Sequence, residues 1–148
     1  MRALRTLGRT LVCGGTIGLA GVAQADTFCD AIKDAAGQVA TASITLPQIK
    51  APATCTEFIT LGEGPSRRCT WAFEYRDPAA QIAFDMLGTA VAECFGPEVQ
   101  MTEDKDVNHP DFYALQSFRA EGHMAAVSLK DKAALSETFV FLRIKSAK

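Results

Sequence analysis

Arg68-Cys69-Thr70-Trp71-Ala72-Phe73-Glu74-Tyr75-Arg76-Asp77-Pro78 is the stretch from which the fold can be read. Cys69, Trp71, Phe73 and Tyr75 alternate with Thr70, Ala72, Glu74 and Arg76. Side chains alternate across a strand, so this order predicts a strand over 68–76 with one aromatic and one more polar face. Asp77-Pro78 then supplies a capping carboxylate followed by a proline, whose missing N–H is no loss at the first helical position. From there Ala79, Ile82, Ala83, Met86, Leu87, Ala90, Val91 and Cys94 recur at helical spacing, and Gly96-Pro97 stops the run. A strand feeding a helix over about 78–95 is the centre of the domain.

Downstream, residues 98–108 hold Glu98, Glu103, Asp104 and Asp106 against Lys105 alone, which suggests a solvated loop. Three strands are expected beyond it, over 112–120, 124–129 and 137–145. Glu121-Gly122-His123 makes a tight hairpin between the first two, and residues 130–136, with room for one helical turn, join the second to the third. Thr138-Phe139-Val140-Phe141-Leu142-Arg143-Ile144 is apolar on both faces over most of its length, as suits a central strand. Upstream, Thr54–Leu61 reads as a strand and residues 62–66 as a turn. Residues 38–54, with Pro47 and Pro52, form an extended connection. Phe28, Ile32, Ala35 and Ala36 at helical spacing predict a short helix, capped by Asp26 or Thr27. The fold class is therefore α+β: an antiparallel sheet of about four or five strands with one long and one shorter helix packed on it.

The beginning of the chain has a different character. Arg2, Arg5 and Arg9 precede an uncharged apolar run that ends in Ala23-Gln24-Ala25, before the polar Asp26. A basic start, a short apolar centre and small residues at the cleavage positions make a secretory signal. A spanning helix needs about 20 apolar residues, and this run is shorter and interrupted by glycines. Residues 1–25 are expected to be removed, leaving 26–148 as a single soluble domain, periplasmic or secreted. The full chain carries 15 Lys+Arg and 17 Asp+Glu. Three arginines leave with the signal, so 12 bases face 17 acids and the net charge falls from −2 to −5. Arg67-Arg68 is the densest basic spot along the sequence. The composition thus disfavours nucleic acid as a partner.

Cys13 leaves with the signal, and Cys29, Cys55, Cys69 and Cys94 remain. Four cysteines in an exported domain, with neither C-x-x-C nor a nearby histidine, point to two disulfides and not to a metal or redox site. The strand 69–75 covers about 20 Å and the helix 78–94 about 24 Å. A helix folding back on the strand returns Cys94 to the level of Cys69. That geometry favours Cys69–Cys94 with Cys29–Cys55. A hairpin joining Cys55 to Cys69, with Cys29–Cys94, is the competing arrangement.

The search for chemistry finds little. His109 (with Asp111) and His123 fall at opposite ends of a strand, about 30 Å apart if extended, too far for a shared metal or a catalytic pair. The run Asp104-Lys105-Asp106-Val107-Asn108 imitates the start of a calcium loop. However, His109 and Leu115 stand where glycine and glutamate are needed. No nucleophile-elbow or phosphate-loop motif occurs. Glu74 and Asp85 are the least ordinary acids, and Glu74 is expected to meet Arg119 or Arg143 across the sheet. No catalytic residue, metal or cofactor is assigned. The expected role is an exported binding or accessory protein acting by protein–protein contact in the cell envelope. Trp71, Phe73 and Tyr75 are the candidate partner or ligand surface, with core packing under the helix as the plainer fate of that face. A carrier of small apolar ligands, with a helix–sheet pocket lined by Trp71, Met86 and Phe141, competes with this role. So does a hydrolase with an unrecognised site, which a buried acid beside His109 or His123 would reveal.

Overall fold

The structure is a computed structural model that describes residues 28–33, 49, 51–60, 64–104, 112–120 and 122–146. Residues 1–25, read above as a signal, the capping candidates Asp26 and Thr27, His109 and most of the Pro47–Pro52 connection lie outside the described residues. Residues 28–33 form helix α1, and Pro78–Phe95 forms helix α2. Six strands follow the chain as β1 (Thr54–Thr60), β2 (Gly64–Glu74), β3 (Gln100–Asp104), β4 (Tyr113–Ala120), β5 (His123–Lys132) and β6 (Glu137–Ser146). They build one antiparallel sheet in the order β1-β2-β6-β5-β4-β3. The α+β class and the central place of β6 thus match the sequence reading.

The expected four or five strands become six, because residues 100–104 pair with β4 as an edge strand instead of forming a loop. All five are exposed, so neither alternation nor apolar content marks them. The segment 62–66 also shifts. Only residues 61–63 separate the strands, and β2 begins at Gly64. Pro65 is tolerated there because β6 joins β2 only from Ser66 onward, so its missing N–H breaks no ladder on that side.

Helix α2 begins as its sequence dictates. Asp77 caps it from an extended conformation, its Oδ1 accepting the Ala79 N–H at 2.8 Å, and Pro78 follows. It ends at Gly96, whose φ of 82° suits only glycine comfortably, and whose N–H donates to the carbonyls of Ala92 and Glu93. Its buried stripe is Ala80, Ala83, Phe84, Leu87, Gly88 and Val91, a partial rotation from the predicted one. Ile82, expected inward, is 59% exposed. Small residues let the helix settle close to the sheet, and Gln116 of β4 reaches to where a Gly88 side chain would stand.

The core lies between α2 and one face of the sheet. Trp71, Leu87, Val91, Phe118, Val127, Val140, Leu142 and Ile144 are all essentially inaccessible there, joined by Phe28 and Ile32 of α1. Fully burying one such aliphatic side chain contributes about 1.5–3 kcal/mol, so this layer dominates the stability.

The cysteines pair as Cys29–Cys94 and Cys55–Cys69, which corrects the favoured assignment of Cys69 to Cys94. The register sets Cys55 directly across from Cys69, with a Cα separation of 4.0 Å. Helix α2 rests mainly on β5 and β6 at the centre of the sheet and only lightly on β2, so Cys94 does not come down over Cys69. It meets α1 instead, with Cys29 at a Cα separation of 5.1 Å.

Candidate functional site

Because directly opposed residues share a face, the register sorts every strand residue into two sets. One set, including Cys69, Trp71, Val127, Leu129, Val140 and Leu142, lies under α2. The other forms an open face on which no helix lies among the described residues.

That open face is rich in rings and cations. Arg68 of β2 stands directly opposite Arg143 of β6. Both guanidinium groups approach the ring of Phe58 in β1, at 5.9 Å for Arg68 and 5.2 Å for Arg143. Arg68 also lies 6.0 Å from the centroid of Phe141, which stacks on Phe139 at 5.8 Å with 28° between the ring planes. Contacts of this kind orient a cation without neutralising it. Across the sheet, the Lys130 ammonium lies 5.6 Å from the Tyr113 ring. Burial, and secondarily the charge of Asp104, raises the Tyr113 phenol above its usual pKa, so it stays neutral as a hydrogen-bonding group. Register adds Lys145 beside Ser66 and Arg119 beside Met124 on the same face. The acids Glu74, Asp104 and Glu137 lie toward its margins. Glu74 faces Glu137 and neither of the arginines expected for it.

A second polar assembly sits at the end of the sheet, beside the start of α2. Arg76, with φ of 59°, occupies the turn between β2 and the helix. Its N–H donates to Thr138 Oγ1 at 2.8 Å, and its Nε donates to Asp131 Oδ2 at 3.2 Å. The Thr138 hydroxyl donates to Asp131 Oδ1 at 2.7 Å. The carboxylate is therefore satisfied on both oxygens while only 5% exposed. These groups border a surface cleft of about 390 Å³, together with Pro78, Ala80, Gln81, Phe112 and Leu129. The arrangement clamps a left-handed turn against β5 and β6, which explains a buried acid without invoking catalysis.

The predicted aromatic surface divides. Trp71 is 1% exposed and belongs to the core, so it presents nothing to a partner. Phe73 packs against the core edge, and Tyr75 is half-buried with the Arg76 guanidinium 5.0 Å from its ring. The carrier pocket imagined among Trp71, Met86 and Phe141 does not form, because Phe141 lies on the opposite face of the sheet from Trp71. His123 begins β5, with its ring 6.2 Å from that of Phe95. The buried acid Asp131 lies eight residues further along β5, about 26 Å away, so the two do not form an acid–histidine pair. Asp85 is exposed and bonded to Gln81. Among the described residues no cluster of three metal-ligating side chains occurs, and no helix is long and apolar enough to cross a membrane.

Sequence reading missed Phe58, Arg68, Phe139, Phe141 and Arg143 as a group, because β6, which supplies three of them, lies far along the chain from β1 and β2. The one available signal was the doubly apolar pattern of 138–144, which implied a ringed second face. No protein-family model, curated protein or solved structure matches the chain.

Proposed function

We propose that this chain is an exported binding or accessory protein of the cell envelope, and that it engages another protein through the open face of its sheet. The observation that carries this reading is the asymmetry of the sheet. One face is closed by α2 and α1, while the other displays Phe58, Phe139, Phe141 and Tyr113 among cationic side chains. Rings and arginines are the residue types that dominate protein–protein contacts, since they offer large contact areas and directed bonds. The signal-like beginning of the sequence and the two disulfides support an oxidising compartment. No constellation on the described surface supports catalysis better than binding.

A photo-crosslinking amino acid at Thr70, directly opposite Phe141 on the open face, tests the idea in intact cells. It should yield a discrete cross-linked protein, whereas the same probe at Gln81 on the outer side of α2 should not. Equal yields from both positions, or none from Thr70, would refute the assignment.

A further inference from the structure

The clamp at the end of the sheet contains more than its turn requires. The Arg76 backbone N–H donates to Thr138 Oγ1 at 2.8 Å, a bond that any residue but proline could make. With φ of 59°, glycine or asparagine would hold the position with less strain. What arginine adds there is a side chain, and that side chain is fixed. Its Nε donates to Asp131 Oδ2 at 3.2 Å, and its guanidinium lies 5.0 Å from the Tyr75 ring. A guanidinium has five donors, and the bond to Asp131 uses the one on Nε. Nη1 and Nη2 meet no acceptor among the described residues, and the side chain is 64% exposed.

The same acid holds the opposite wall of the cleft. The Asp131 backbone N–H donates to the Phe112 carbonyl at 3.0 Å, and the Phe112 ring stands on the rim, 49% exposed. Pro78 and Leu129 extend the apolar lining, and a volume of about 390 Å³ suits a small molecule. Leu129, Asp131 and Thr138 alternate onto the helix-covered face, so the cleft opens on the α2 side of the sheet.

We propose that this cleft binds a small monocarboxylic acid, its carboxylate forked on the Nη atoms of Arg76 and its apolar body lying on Phe112, Pro78 and Leu129. The two acids at the cleft narrow the choice. Asp131 gives its oxygens to Arg76 and Thr138, and Asp77 holds the Ala79 N–H. They leave the surroundings short of positive charge, so one carboxylate held by directed bonds fits and a doubly charged phosphate ester does not. The site stands apart from the open face, and its occupancy and the cross-link from Thr70 succeed or fail separately.

The test uses the full chain with its disulfides intact and 3-phenylpropionate as the probe. In a two-dimensional proton–nitrogen NMR titration, binding should saturate with a Kd of about 1 mM or tighter. The shifted amides should include those of Arg76, Gln81, Phe112 and Asp131. The uncharged 3-phenylpropionamide should bind about tenfold more weakly, and Arg76→Gln should weaken the acid by about the same factor. In that variant acid and amide should bind alike, which loss of the turn clamp alone would not produce. Phe112→Ala should weaken acid and amide equally, by about threefold to tenfold. Arg68→Gln on the open face should change nothing. If thermal melts show Arg76→Gln to be unfolded, the acid-to-amide ratio and Phe112→Ala still decide. Equal binding of acid and amide, no saturation below about 10 mM, or shifts confined to the open face overturns the proposal. So does tighter binding of phenyl phosphate in the same titration.

Discussion

The two faces of the sheet are made from the same strands, residue by residue in alternation, yet they obey different constraints. Under α2 the side chains are apolar and interlocked, and nearly every one is inaccessible. On the far side, aromatic rings are paired with guanidinium and ammonium groups, and side chains remain partly in solvent. Stability explains the first face, because apolar area removed from water is what folding gains. It does not explain the second, where like charges oppose each other and rings stay half-exposed. The difference shows that a strand sequence can be selected for two purposes at once, on alternate residues.

Mutations can break or sharpen that contrast. The largest effect is expected within the core. Trp71→Ala should cost about 3–5 kcal/mol, and Phe141→Ala on the open face only about 1 kcal/mol, by urea denaturation. Similar losses at the two positions would erase the distinction. Next are the two bridges, which hold different parts of the closed layer. Removing Cys29–Cys94, with a sequence separation of 65, should cost about 4 kcal/mol in the chain-entropy account. Removing Cys55–Cys69, with a separation of 14, should cost about 3 kcal/mol. Double alanine replacements compared by thermal unfolding would check the order. The smallest effect concerns the fit of helix to sheet. Gly88→Ala should stabilise by about 1 kcal/mol in a Gln116→Ala background, through helix propensity. In the native background that gain should shrink or reverse, because the new methyl collides with Gln116 Oε1, and Gln116 would have to abandon its bond to Glu103.

The parts of the fold legible in the sequence were those whose local pattern and tertiary role agree. The alternation at 69–75 and the Asp77-Pro78 start of α2 are instances, since caps and pleats act over a few residues. β3 was illegible because Gln100–Asp104 form an edge strand without a buried residue, paired in the sheet with β4 only. The rotation of the α2 stripe reflects small residues, Ala80 and Gly88, which score weakly as apolar but decide how close the helix comes. The candidate site was the least legible element. Its defining pair joins β2 to β6, strands far apart along the chain, and only sheet order brings Arg68 and Arg143 together. The cysteine pairing failed for a related reason: both Cys69 and Cys94 turn toward the closed layer, but facing the same layer does not make two residues neighbours.

The disulfides are nested, with Cys55–Cys69 wholly inside the span closed by Cys29–Cys94. Ribosomes make chains from the N-terminus, so of the four bridged cysteines Cys29 is made first and Cys55 second. Linking cysteines simply as they appear would join those two, a bond the folded protein does not contain. Cys29 must therefore wait for the end of α2 to arrive, or surrender a first partner to thiol exchange. The order of the cysteines along the chain thus sets a requirement of its own, that a bond between sequence neighbours be avoided or undone.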